Sequence, residues 1–114
     1  MSDCIFCRIA AKDIPAKIVY EDDRIVTFDD IRPQAPVHTL IIPKEHIASL
    51  NDLPPGRADL VGHIMAKAPG IAELKGVKAS GYRLVVNTGP DSGQDVFHIH
   101  VHLLGGRKLR WPPG

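Results

Sequence analysis

The chain has 114 residues and a mass of 12.4 kDa, with 44% hydrophobic and 24% charged residues; that suits one compact core and excludes a disordered, highly charged chain. Lys plus Arg number 14 against 13 Asp plus Glu, and the resulting net charge of +1 supplies no field for a nonspecific nucleic-acid binder or an acidic membrane surface. With no signal-peptide pattern at its start and no apolar run of about 18 residues, the chain is expected in the cytoplasm and off the membrane.

In chain order, Cys4 to Ala11 places Ile5, Phe6, Ile9 and Ala10 at helical spacing ahead of Pro15, which predicts one short helix. Ile18-Val19-Tyr20 and Ile25-Val26-Thr27-Phe28 flank the polar turn Glu21-Asp22-Asp23-Arg24, the form of a hairpin. His38 to Ile42 is a further β-branched run, ended by Pro43. From Gly56 to Leu74 the apolar Leu60, Val61, Ile64, Met65 and Ala68 predict the one long amphipathic helix, started by Asn51 or Asp52 and Pro54-Pro55. An interior proline costs roughly 3 kcal/mol, so a kink or break is expected at Pro69-Gly70. Tyr82 to Asn87 and Val96 to Leu104 read as two last strands, joined by Thr88-Gly89-Pro90-Asp91-Ser92-Gly93. The succession predicts an α+β domain with one largely antiparallel sheet.

Six histidines are the compositional oddity. In Val96 to Leu104 they alternate strictly with branched aliphatics, so a strand would send Ile99, Val101 and Leu103 into the core and line up His98, His100 and His102 opposite. At about 3.3 Å per residue, His98 and His102 stand roughly 13 Å apart along the backbone, too far for one metal ion to take all three. A nucleophile in the middle, flanked by rings that orient it and pass protons, fits better: an imidazole near pKa 6.5 is largely neutral at pH 7. Gly89 and Gly93 before the strand and Gly105-Gly106 after it leave room for backbone N–H groups to approach an anion, which points to phosphate. Cys4 and Cys7, three apart on the short helix, are too few for a disulfide framework and read as reduced thiols or as half of a metal site.

His98-Ile99-His100-Val101-His102-Leu103-Leu104 resembles the motif for which the histidine triad (HIT) superfamily is named. The likeness extends over Cys4-Ile5-Phe6-Cys7, Asp13 to Lys17, Phe28 to Ile31, Pro33 to Pro36, His38, Ile42-Pro43-Lys44, Asn87, Gly93-Gln94 and Gly105-Gly106-Arg107, while Trp111-Pro112-Pro113-Gly114 resembles the Hint branch. It implies a single HIT domain over 1–114, with a five-stranded antiparallel sheet, one long and one short helix, and residues 105–114 as a tail at a homodimer interface. The sheet would continue across that dimer. The activity implied is hydrolysis of the P–N bond of purine nucleoside 5′-phosphoramidates through a covalent nucleotidyl-histidine, with no catalytic cofactor.

On this resemblance His100 is the nucleophile, His102 bonds a phosphate oxygen, His98 supports the loop and the neighbouring ring, and His38 borders the cluster. Asp30 resembles the ribose anchor, Phe6, Ile9, Ile14, Phe28 and Ile31 the base sandwich, and Asn87, Gly93, Gln94 and Val96 the phosphate-proximal stretch. Asp95 replaces a serine of the animal Hint pattern: it either helps manage the leaving amine's proton or is a solvent-facing substitution. Zinc-bearing relatives imply a structural site from Cys4, Cys7, His46 and His98; a plain thiol pair, or a redox dithiol, is the alternative. Trp111 would pack at the interface and reach toward the partner's nucleotide site. Two rival functions remain, a nucleotide- or partner-binding module with vestigial hydrolysis, and a metal-dependent hydrolase with histidine ligands.

Overall fold

The structure is a computed structural model that describes residues 3–114. Helix α1 (Ile5–Ala10) is capped by Cys4, whose Sγ accepts the Cys7 N–H at 3.4 Å, and it buries Phe6 and Ile9. The hairpin forms as β1 (Ile18–Glu21) and β2 (Ile25–Asp29). Its turn is held by the Asp22 carboxylate, which accepts the N–H of Arg24 at 2.8 Å and of Ile25 at 2.9 Å, the local bonding that suits Asp to turns. Then come β3 (Val37–Pro43), α2 (Ala58–Leu74), β4 (Tyr82–Val86) and β5 (Val101–Gly105). They form one five-stranded sheet in the order β1-β2-β3-β5-β4, each neighbouring pair antiparallel. Among the described residues no helix is long and apolar enough to cross a membrane.

Alternation along the strands divides the sheet into two buried faces. Ile25, Ile41, Val101 and Leu103 pack with Leu60, Ile64, Ala68 and Ile71 of α2. Val26, Phe28, Leu40 and Ile42 pack with Phe6 and Ile9 of α1. Leu40 pairs with His102, and His38 with Leu104, so β3 and β5 deliver His38 and His102 as diagonal neighbours on the α1 face.

Three expectations need correction. Helix α2 is unbroken at Pro69-Gly70 and begins at Ala58, after 3-10 turns at Leu50–Asp52, capped by Ser49, and at Pro55–Arg57. Pro69 lies on the exposed side, where water can bond the carbonyl of Met65 that the proline leaves without a partner. Continuing the helix buries Ile71 and Ala72, and an Ile buried is worth roughly 1.5–3 kcal/mol, which offsets most of the proline penalty. The last strand begins at Val101, not Val96: the chain before it leaves the sheet and follows the loop after β3, with Ile99 N–H donating to the Ile47 carbonyl at 2.8 Å. Gly105 and Gly106 answer a packing constraint that the sequence did not suggest. A Cβ on Gly105 would meet Val77 at 3.0 Å, and one on Gly106, whose φ is +91°, would meet Pro36 at 2.8 Å.

Candidate active site

Between α1 and its face of the sheet lies a cavity of about 430 Å³. Phe6, Ile9, Ile14, Phe28, Ile31, Leu40 and Val96 make most of its wall apolar; its polar groups include Asp30, Asp95, His100 and His102, and the Asp30 carboxylate lies within 4.8 Å of His38 and His102 nitrogens. Such an enclosure, apolar with a few convergent polar groups, is the usual form of a small-molecule site. Phe6 also meets His100 edge-on, ring centroids 5.0 Å apart, and Phe28 at 5.6 Å.

Backbone partners settle the protonation of each ring. Nδ1 of His100 lies 2.7 Å from the His98 carbonyl oxygen; a carbonyl only accepts, so Nδ1 carries a hydrogen, and in the neutral ring the lone pair is on Nε2. Nδ1 of His38 accepts the Gln34 N–H at 3.0 Å, which puts the His38 hydrogen on Nε2. That Nε2–H donates to His102 Nδ1 at 2.9 Å and also faces Asp30 at 3.5 Å. Burial pushes the His102 pKa down to about 4, helped by the neighbouring His100 and His38 rings and opposed by Asp30 and Asp95. His102 is therefore neutral at pH 7, with its one hydrogen on Nε2, a buried nitrogen that finds no partner. Burial likewise lowers His38, with Asp30 opposing. The polar end of the cavity thus offers a lone pair on His100 and an unsatisfied N–H on His102, ring centroids 5.0 Å apart.

His98, like His100, precedes β5, so no single strand lines up the three rings; the His98 ring meets Phe6 of α1 edge-on, centroids 5.9 Å apart. It is fully buried, and its Nε2–H donates to the Pro43 carbonyl at 2.8 Å. Its Nδ1 lone pair faces Cys4 Sγ at 3.3 Å, Cys7 Sγ at 3.5 Å and His46 Nδ1 at 3.2 Å, while Cys7 Sγ is 3.2 Å from His46 Nδ1. All four donor atoms lie within 4.8 Å of one another. A tetrahedral ion with bonds of about 2.0–2.3 Å separates its ligands by roughly 3.3–3.8 Å. No single shared hydrogen could satisfy three partners around one Nδ1, so the donor set fits a thiophilic divalent cation of the zinc class.

Other expected residues lie outside the cavity. Gln94 is a strut: its Nε2 donates to the carbonyls of Ala48 and Val96, and its Oε1 accepts the Gly89 N–H at 3.1 Å. Asn87 and Gly93 flank that same loop, where Gly93 adopts φ 83°. Trp111 is 80% exposed, with the Arg83 guanidinium 5.9 Å from its ring. Ile31 lines the cavity mouth and is otherwise exposed. Sequence reasoning missed Ile5, Pro15, Ala16, Asp29, Arg32 and Leu40 in the lining. Leu40 was within reach, since it shares the parity of His38 on β3.

Two imidazoles of opposed hydrogen-bonding character at the end of an apolar cavity, beside a thiol–imidazole cluster, define a class of site for phosphoryl or acyl transfer. The HIT domain family matches residues 11–109, and the chain belongs to that family. It is 52% identical to an uncharacterized HIT-like protein of Synechococcus elongatus over 98% of this chain and 97% of that one. It is 50% identical to Protein HitA of Neisseria gonorrhoeae over 92% and 97% of the two chains. Among solved structures it superimposes on a HIT family hydrolase from Legionella pneumophila with a TM-score of 0.95, at 52% identity over 98% and 100% of the chains. It also superimposes on a histidine triad nucleotide-binding protein from Candida albicans with a TM-score of 0.83, at 31% identity over 96% and 83% of the chains.

The His102 shift makes a prediction with a definite sign. An ordinary histidine, near 6.5, takes up its proton in the unfolded chain before His102 does in the folded one. The stability that neutral His102 contributes is thus complete above about pH 6.5 and is lost as the pH falls toward 4. NMR titration of labelled imidazoles should find His102 neutral and Nε2-protonated at about pH 6; a midpoint for this ring at or above the ordinary value would contradict the assignment.

Proposed function

We propose that this HIT protein is a nucleoside phosphoramidase of the Hint branch, cleaving the P–N bond of purine nucleoside 5′-phosphoramidates. The observation that carries the reading is the pair of ring nitrogens at the polar end of the cavity, a lone pair on His100 Nε2 and an unsatisfied N–H on His102 Nε2. The similar Legionella protein is a HIT family hydrolase and the Candida protein a histidine triad nucleotide-binding protein, which supports hydrolysis at a nucleotide site.

In this reading the base lies among Phe6, Ile9, Ile14, Phe28 and Ile31, and Asp30 accepts from the ribose hydroxyls. His100 Nε2 forms a bond to the α-phosphorus as the P–N bond breaks and the amine departs. His102 donates to a phosphoryl oxygen, where negative charge gathers in the transition state, and His38 fixes its orientation and tautomer. The leaving nitrogen takes its proton from solvent as the P–N bond breaks. Water then attacks the nucleotidyl-histidine, its oxygen bonding phosphorus as the P–Nε2 bond breaks, one of its hydrogens staying on the phosphate and the other returning to solvent, so that the two proton transfers balance. Val96 closes the cavity wall, and Gln94 with Asn87 and Gly93 holds the loop behind the phosphate. Zinc on Cys4, Cys7, His46 and His98 would contribute structurally, tying α1 to His98, whose carbonyl aims His100.

We also propose a two-fold homodimer in which the sheet continues across the partner and the tail, with Trp111, meets the partner's site. The β4 edge of the sheet is without a strand neighbour in the described chain, and such an edge calls for cover. Native mass spectrometry reads both proposals together: about one zinc per chain and twice the chain mass are expected, with Cys4→Ser losing the metal and thermal stability. A zinc-free monomer would contradict both.

The activity is tested by turnover of an adenosine 5′-phosphoramidate. His100→Ala should lose at least about 1,000-fold in kcat while still binding AMP. Wild-type protein that binds AMP but shows no turnover would favour a nucleotide-binding module instead.

A further inference from the structure

Asp95 is the carboxylate the proposed mechanism leaves without a task, and its surroundings are unusual. It lines the cavity beside Val96, His100 and His102, close enough for its charge to act on the His102 ring. The other two acidic residues of the lining are engaged. Asp29 meets Lys75 Nζ at 2.9 Å and accepts from the Thr39 hydroxyl at 3.0 Å, while Asp30 accepts the Arg32 N–H at 2.8 Å and faces His38. Asp95 is exposed and, among the described residues, takes part in no hydrogen bond or ion pair. Arg32 is the one Lys or Arg of the lining, and it neighbours Asp30, whose carboxylate lies within 4.8 Å of ring nitrogens of both His38 and His102, so two acidic residues, Asp30 and Asp95, act on the histidine end.

A phosphoryl group held by His100 and His102 has Asp30 near it, already facing His38 and bonded to the Arg32 N–H, and whatever the group bears toward Asp95 meets a negative charge that no side chain of the described residues pairs. A further phosphate there would be repelled. An ammonium would be attracted and, at an exposed rim, would lose little hydration on the way in. Across several ångströms of partly wet space the effect is on the order of tenfold per unit charge.

Resting on the hydrolase reading above, we propose that Asp95 is the specificity-determining residue for the leaving group. It selects nucleoside 5′-phosphoramidates whose amine carries a second, cationic ammonium arm, and it disfavours polyphosphate leaving groups. The role is electrostatic: Asp95 need neither move a proton nor touch phosphorus.

The test compares three adenosine 5′-phosphate derivatives: the simple amide, the amide of a diaminoalkane with its distal amine charged, and ADP. In wild-type protein kcat/KM for the diaminoalkane derivative should exceed that for the simple amide. Asp95→Asn, which keeps size and removes charge, should shrink this ratio about tenfold, and Asp95→Glu should restore it. High salt should compress the wild-type ratio toward that of Asp95→Asn. The same ligands are then bound at equilibrium to protein carrying His100→Ala, in which they stay intact. Asp95→Asn in that background should lower the affinity for the diaminoalkane derivative relative to ADP by a similar factor. This binding arm stands apart from turnover: absent catalysis with a shifted binding ratio overturns the hydrolase reading alone. Ratios unchanged by Asp95→Asn, in turnover or in binding, overturn the role given to Asp95.

Discussion

The 2.7 Å hydrogen bond from His100 Nδ1 to the carbonyl of His98 joins the two halves of the site. Residue 98 is anchored at both ends of its ring, by the Pro43 carbonyl on Nε2 and by Cys4, Cys7 and His46 around Nδ1. Its carbonyl is accordingly a fixed acceptor. It determines which nitrogen of His100 keeps a lone pair and where that lone pair points. The same α1 that Cys4 caps and Cys7 lies on supplies Phe6 and Ile9 to the cavity wall, so the cluster, the wall and His100 are parts of one packed unit.

A second line of bonds does the converse for His102. The Gln34 N–H fixes His38, and His38 fixes His102 by donating to it. Burial keeps both rings neutral, because a charged imidazole there would lose its hydration without a full counter-charge. Two chemically identical side chains, two residues apart, thereby acquire opposite roles. The difference lies in their backbone partners, not in their own composition.

Much of this was legible in the residues. The alternation of Val101 and Leu103 with His102, and the shared face of His38 and Leu40, follow from strand geometry alone, and the spacing of Leu60, Ile64 and Ala68 located α2. The sixth histidine, His63, pairs with Asp22 at 2.7 Å away from the site, which no local pattern could separate from the others. What escaped was set by tertiary contacts. Pro69 is accommodated because its missing bond faces water, and the chain leaves the sheet before Val101 because Ile47 and Pro43 offer it carbonyls. Gln94 holds the loop it was expected to lend to phosphate. The metal-type cluster joins residues more than 90 positions apart; their likeness to a known family, and not their spacing, pointed to it.

The claim on which the account rests is that His100 Nε2 is the atom that meets phosphorus. Rapid mixing with an adenosine 5′-phosphoramidate, alkaline quench and peptide mapping would test it, with phosphorus–nitrogen NMR couplings in labelled protein assigning the ring position. The expected result is a nucleotidyl group on His100 at Nε2, the nitrogen left open by the bond to the His98 carbonyl. An adduct on His102, on another residue, or at Nδ1 of His100 would contradict it.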